Sequence, residues 1–172
     1  MKLIRFFIIC AEIFICFVLE NIFPLRIAGA NIYPDLLIII VCGSGYMFGS
    51  SAGTLYGFLA GLLFDIANPG AVGFTAFIFS VAGFISGVFR KFYKRSNNIL
   101  PLGLIAVFEY IYMSMYYLAN FLVRGRVDYL LVTKTVILPK VTLTVLVAVL
   151  LYKLFQLSVG FTFPVERKKI RS

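Results

Sequence analysis

The 172-residue chain is 62% hydrophobic and only 13% charged, with a mean hydropathy of +1.01 and a formal net charge of +9. Soluble domains carry about 25% charged residues, so this composition excludes a soluble globular protein and indicates an integral, polytopic, helical membrane protein. The lack of histidine removes the commonest metal ligand and general base. The basic excess fits loops that face the cytoplasm and anionic lipid better than it fits nucleic acid.

Apolar segments are expected at 3–23, 34–48, 51–66, 72–89, 99–122 and 134–156. The first has the basic start of a signal peptide in Lys2 and Arg5. Its apolar run continues to Phe23, no small-x-small cleavage site precedes Pro24, and it carries Glu12 and Glu20, so it reads as a retained helix. Glu20 follows Glu12 at i+8, with Cys16 between them on the same face. The three cysteines, Cys10, Cys16 and Cys42, all lie in apolar runs, an odd set that argues against a disulfide framework.

The second and third segments are marked by five glycines spaced four apart: Gly45, Gly49, Gly53, Gly57 and Gly61. Such a stripe lets another helix approach to backbone contact in an apolar setting. As one helix, residues 35–66 would be about 48 Å long against a hydrocarbon core of about 30 Å. Gly49-Ser50-Ser51 is small and polar enough to be a turn, so two short helices are expected, folding against each other and against a fourth helix that carries Gly83 and Gly87. Pro34 stands at the start of the second helix, where a missing N–H costs little. Asp35 follows it, where a carboxylate meets orphan N–H groups. Asp65 closes the third helix, and Asn68-Pro69-Gly70 signals a tight turn before the fourth. For Asp65 and Glu20, solvation near the outer surface and a functional role stand as equal alternatives.

The fifth segment has Pro101 near its start and Glu109 near its middle. Glu109 shares a face with Tyr112, Met113, Tyr116 and Asn120, a polar stripe suited to a bundle interior or a partner helix rather than lipid. In the sixth, Pro139 predicts a kink, with Lys140 beside it. A lone charge in hydrocarbon is costly, so Glu109 and Lys140 are expected to pair, either as a plain bundle staple or as part of a polar pocket. The stretch from Phe161 to Ser172 reads as a short basic tail, interfacial or disordered. The domain reading is therefore a single transmembrane helical domain over 1–160 and a basic cytoplasmic tail over 161–172.

Charge parity sets the expected orientation. Six helices with both termini in the cytoplasm place Lys2, Arg5, the Arg90–Arg95 cluster, Lys153 and the Arg167–Arg171 cluster inside, which is eleven of the sixteen basic residues. Fusing 35–66 into one span flips the parity and breaks the positive-inside rule. Tyr33 and Tyr129 then fall at the outer surface, and Tyr93 and Tyr152 at the inner one. No catalytic constellation is apparent: the serines have no suitably placed lysine, and there is no P-loop, dinucleotide fingerprint or zinc spacing.

Pro34-Asp35-Leu36-Leu37, then Gly57-Phe58-Leu59-Ala60-Gly61-Leu62-Leu63-Phe64-Asp65, then Gly73 and an apolar helix with Gly83 and Gly87 ending in basic residues, form an order that resembles the MreD family of bacterial rod shape-determining proteins. The last helix, with Pro139, Thr142, Thr144 and Tyr152, looks like that family's end, and the resemblance covers essentially the whole chain. It implies a six-helix transmembrane bundle similar to the substrate-binding subunits of energy-coupling-factor vitamin transporters. It further implies a non-enzymatic scaffold, without cofactor or metal, in the bacterial inner membrane. That scaffold acts in peptidoglycan biosynthesis within the elongation machinery, with MreC, the MreB cytoskeleton, and RodA with its penicillin-binding transpeptidase. The family positions that map here are Pro34, Asp35, Gly57, Gly61, Asp65 and Gly73, and none carries a catalytic role. Glu109, Tyr116 and Lys140 are the expected partner or pocket residues. The alternative is a substrate-binding subunit of a small-molecule transporter, whose outward pocket would be lined by Glu20, Asp65, Glu109 and Lys140. Two features speak against it: the first helix lacks a small-xxx-small docking pattern, and the outer loops are short.

Overall fold

The computed structural model describes residues 2–22, 26–27, 30–31, 33–68, 73–92, 99–124 and 129–162. Helix α1 (Lys2–Ile22) leads to a two-residue antiparallel pair, β1 (Arg26–Ile27) and β2 (Ala30–Asn31), in register Arg26 to Asn31. Helices α2 (Leu36–Phe48), α3 (Ser50–Ala67) and α4 (Phe74–Val88) follow, the last ending in a 3-10 turn at Phe89–Phe92. Helix α5 (Ile99–Arg124) comes next. A final helical run is made of α6 (Tyr129–Val132), a π-helical turn (Thr133–Ile137) and α7 (Leu138–Thr162).

Apolar sequence without a polar face makes α2 the axle of the bundle. Every residue from Leu37 to Phe48 is buried, the pattern of a helix that meets protein on all sides. It packs against α1, α3, α4, α5 and α7. The outer helices instead expose large apolar side chains, among them Phe7, Ile66, Phe77, Leu130 and Leu150, each at least 66% exposed. Water would not tolerate so much apolar surface, whereas lipid does. Ser50–Ala67 and Leu130–Leu151 are long and apolar enough to cross a membrane; Leu36–Phe48 and Phe74–Val88 are apolar and shorter.

The glycine stripe divides as the length argument expects. Gly49 has φ +101° and ψ 175° and breaks the chain between α2 and α3. In a continuous helix, Gly45 and Gly53 would lie about 12 Å apart. Here a Cβ built on Gly53 would come within 2.6 Å of the Gly45 Cα, so α3 doubles back along α2. At the same glycine face α3 and α2 both meet α4, and the α3–α4 contact is the most extensive among the described residues. A Cβ on Gly53 would fall on the carbonyl oxygen of Gly83, one on Gly57 on that of Phe79, and one on Gly61 on the Cα of Ala76. Gly87 of α4 similarly touches the backbone at Ser50. Backbones at van der Waals contact over about three turns are what small residues allow.

The final run departs from expectation in three ways. It begins at Tyr129 rather than 134, and the distortion near Pro139 takes the form of a π turn. The Leu138 N–H reaches back to the carbonyl of Thr133. A proline ring clashes with the carbonyl four residues earlier, here Thr135, and the wider turn gives that carbonyl room. Helix α7 also continues to Thr162, past the expected end at 156. The tail beyond Thr162, Tyr93, Lys94 and Arg95 lie outside the described residues.

Candidate functional site

Four charged side chains from four helices converge where α2 begins. Asp35 caps α2: the Ile38 N–H donates to its Oδ1 (3.2 Å), satisfying one of the orphan donors of the first turn. The Asp35 N–H itself donates to Thr144 Oγ1 of α7 (3.1 Å). The Thr144 hydroxyl in turn donates to Glu109 Oε1 of α5 (3.5 Å). Lys140 of α7 lies between the two acids, its Nζ 3.7 Å from Glu109 Oε1 and 3.9 Å from Asp35 Oδ2. The same ammonium sits over the Tyr33 ring, 5.0 Å from its centroid, a cation–π contact. Burial raises the Tyr33 phenol above its ordinary range, so the ring stays neutral.

Glu20, at the end of α1, is the fourth member. It is 7% exposed and within electrostatic range of Asp35, Lys140 and Glu109. Among the described residues, neither of its carboxylate oxygens has a hydrogen-bond partner, nor has Glu109 Oε2. At an effective dielectric of 20, a pair of charges about 4 Å apart gains about 4 kcal/mol, while burial costs several kcal/mol per ion. One ammonium would therefore not offset three ionised carboxylates buried around it.

The expected pairing of Glu109 with Lys140 is present, but Asp35 shares the lysine, so the helix-capping reading of Asp35 covers only half of what it does. Solvation of Glu20 and Asp65 is overturned, since both are buried at 7% exposure. Asp65 does not join the cluster, and the outward pocket expected to contain it is corrected accordingly. Its carboxylate accepts from the N–H groups of Gly73 (2.8 Å), Thr75 (3.1 Å) and Ala76 (3.2 Å). It thus caps α4 from the end of α3. Gly73, the N-cap residue, has φ +98° and no side chain to do so. Three N–H donors and the positive end of α4 compensate this buried charge.

The Glu109 stripe runs from core to surface. Tyr112 and Met113 are buried, and Tyr112 meets Phe79 of α4 edge-on with centroids 5.4 Å apart. Tyr116, one turn on, is 39% exposed and 6.3 Å from the Tyr112 ring. Pro34 precedes the Asp35 cap and is half-buried. Gly57 and Gly61 serve the α3–α4 contact. Arg90, expected to face lipid or a cytoplasmic partner, donates from Nη1 to the Phe48 carbonyl (3.0 Å), closing the C-terminus of α2. Sequence reasoning missed Thr144 as the link between Asp35 and Glu109. A threonine one turn after Lys140 was the available signal.

The sequence model of the family described as rod shape-determining protein MreD matches residues 1–159. The chain belongs to the MreD family. Neither a curated protein nor a solved structure matches it. For an MreD protein, the charged cluster joins α1, α5 and α7 to the start of α2, and the glycine seam joins α2, α3 and α4. Among the described residues, no group of three or more His, Cys, Asp or Glu side chains is placed to hold a metal ion.

Proposed function

We propose that this protein is a non-enzymatic, multi-pass scaffold of the bacterial inner membrane that maintains rod shape by binding MreC and linking it to the wall-synthesis enzymes. The observation that carries this reading is the family match over residues 1–159. The packing supports it: polar groups are used to join helices, as in the capping of α4 by the buried Asp65 and of α2 by Arg90. In this reading RodA, its penicillin-binding transpeptidase and the MreB cytoskeleton complete the assembly. Both termini are cytoplasmic, with anionic lipid meeting the basic segments. Residues 1–160 act as one transmembrane domain, with 161–172 as its tail. The six helical runs suit a fold similar to that of energy-coupling-factor substrate-binding subunits.

The test is complementation with co-purification. In a rod-shaped bacterium depleted of its own MreD, expression of this chain is expected to restore rods and to retain MreC on an affinity column. Round cells despite normal membrane levels of the chain would overturn the reading. The unpartnered oxygens of Glu20 and Glu109 favour a second reading, a substrate-binding transporter subunit. Clear thermal stabilisation by one vitamin at micromolar concentration would support it, and a flat response across the vitamins removes it.

A further inference from the structure

The charged cluster is incomplete in a specific sense. Among the described residues, three carboxyl groups, Glu20, Asp35 and Glu109, stand around one ammonium, Lys140. Asp35 has a backbone donor and the lysine, and Glu109 has Thr144 and the lysine through one oxygen. Glu20 has no hydrogen-bond donor on either oxygen although it is 93% buried, and Glu109 Oε2 has none either. An ionised buried carboxylate without a donor is costly, and a cationic donor from outside the cluster would complete either group as an anion.

The surroundings narrow the occupant. Glu20 stands one turn from the end of α1, and the neighbouring Leu19 and Ile22 are exposed and apolar. On the α5 side, Tyr116 is partly exposed and within electrostatic range of Tyr33, whose ring carries Lys140. Exposed apolar and aromatic side chains on α1 and α5 give these helices an outer surface suited to a neighbouring helix in lipid, along which a long cationic side chain can reach inward. We infer that the cluster is a docking site for a transmembrane helix of a partner protein bearing a single Arg or Lys, whose cationic head is received by Glu20 and Glu109. This inference rests on the scaffold reading and names the chemistry by which one partner would be recognised. A basic residue is costly in a lone transmembrane helix and is compensated on meeting buried acids, so the pairing makes assembly selective.

The test uses the full-length protein in phosphatidylcholine vesicles and two labelled transmembrane peptides of about 20 Leu and Ala residues. One carries a single Arg about a turn and a half from its outer end; the other carries Gln there. Energy transfer is expected to show the Arg peptide binding about tenfold or more tightly than the Gln peptide. Glu20→Gln should erase that preference, and Glu20→Lys should transfer it to a peptide with Glu at the same place. Equal binding of the two peptides by the unaltered protein overturns the inference without any variant having to fold. So does an Arg preference that survives Glu20→Gln. Loss of the preference when phosphatidylethanolamine replaces phosphatidylcholine assigns the site to a headgroup amine and also overturns it. Cell-shape complementation is read separately. A chain that restores rods yet shows no Arg preference refutes this inference alone, whereas an Arg preference without restored rods refutes the shape-determining reading alone.

Discussion

At Lys140 one side chain serves two acids, which makes the lysine and its partners unequal. Removing Glu109 leaves Lys140 still facing Asp35, whereas removing Lys140 leaves Asp35, Glu109 and Glu20 without a counter-charge. Lys140→Met is therefore expected to cost about 3–5 kcal/mol, the usual consequence of stranding buried charge, and Glu109→Gln clearly less. The double change should recover only part of the Lys140→Met loss, because Asp35 stays uncompensated. Thermal unfolding in detergent of the four proteins checks the order; a double variant as stable as the parent would refute the shared-lysine account. Asp65→Ala is expected to cost about 2 kcal/mol or more, since three N–H groups at the start of α4 lose their acceptor. Asp65→Asn should be milder, its amide oxygen still accepting. The acids were conspicuous in the sequence because charge is rare there. Their sorting was not legible, because Asp35 meets Glu109 and Lys140 through contacts spanning 35 to 109 residues, distances that no local pattern encodes.

Among the elements, the glycine seam was the most readable part of the fold. Spacing by four, a bilayer thickness and a polar Gly-Ser-Ser break made two short helices plausible, charge parity decided for them, and Gly49 supplies the positive φ that the reversal needs. The π turn before Pro139 was not legible beyond a disturbance, since proline states where a helix ladder fails and leaves open how it is repaired. Gly57→Leu and Gly61→Leu are each expected to cost about 3 kcal/mol or more, beyond ordinary overpacking, because the added atoms meet the Phe79 carbonyl and the Ala76 Cα rather than a movable side chain. Yield of monodisperse protein reads this directly. Gly103→Ala, where a Cβ meets nothing within 4 Å, is the control and should be silent.

On the scale of the molecule, α2 is screened from lipid by α1, α3, α4, α5 and α7. A helix of 13 residues is about 20 Å long, short of a bilayer core of about 30 Å, and such enclosure removes the mismatch, since α2 touches protein instead of acyl chains. The six-run arrangement also carries the orientation proposed for it. Reporter fusions at Met1 and Ser172 should both be active only on the cytoplasmic side, and a periplasmic signal from either would refute that topology.

The enclosure of α2 has a consequence in time. A chain emerging from the ribosome presents α2, with Asp35 at its head, long before Lys140 and Thr144 of α7 have been made. Until then the innermost helix of the finished protein has an open flank, Asp35 has no counter-ion for its carboxylate, and its N–H lacks the Thr144 hydroxyl that accepts from it. The last helix to be synthesised is thus the one that closes the bundle around one of the first. Completion of the polypeptide becomes a condition for burying its own centre, so a chain cut short before α7 should be recognisable to membrane proteases as unfinished.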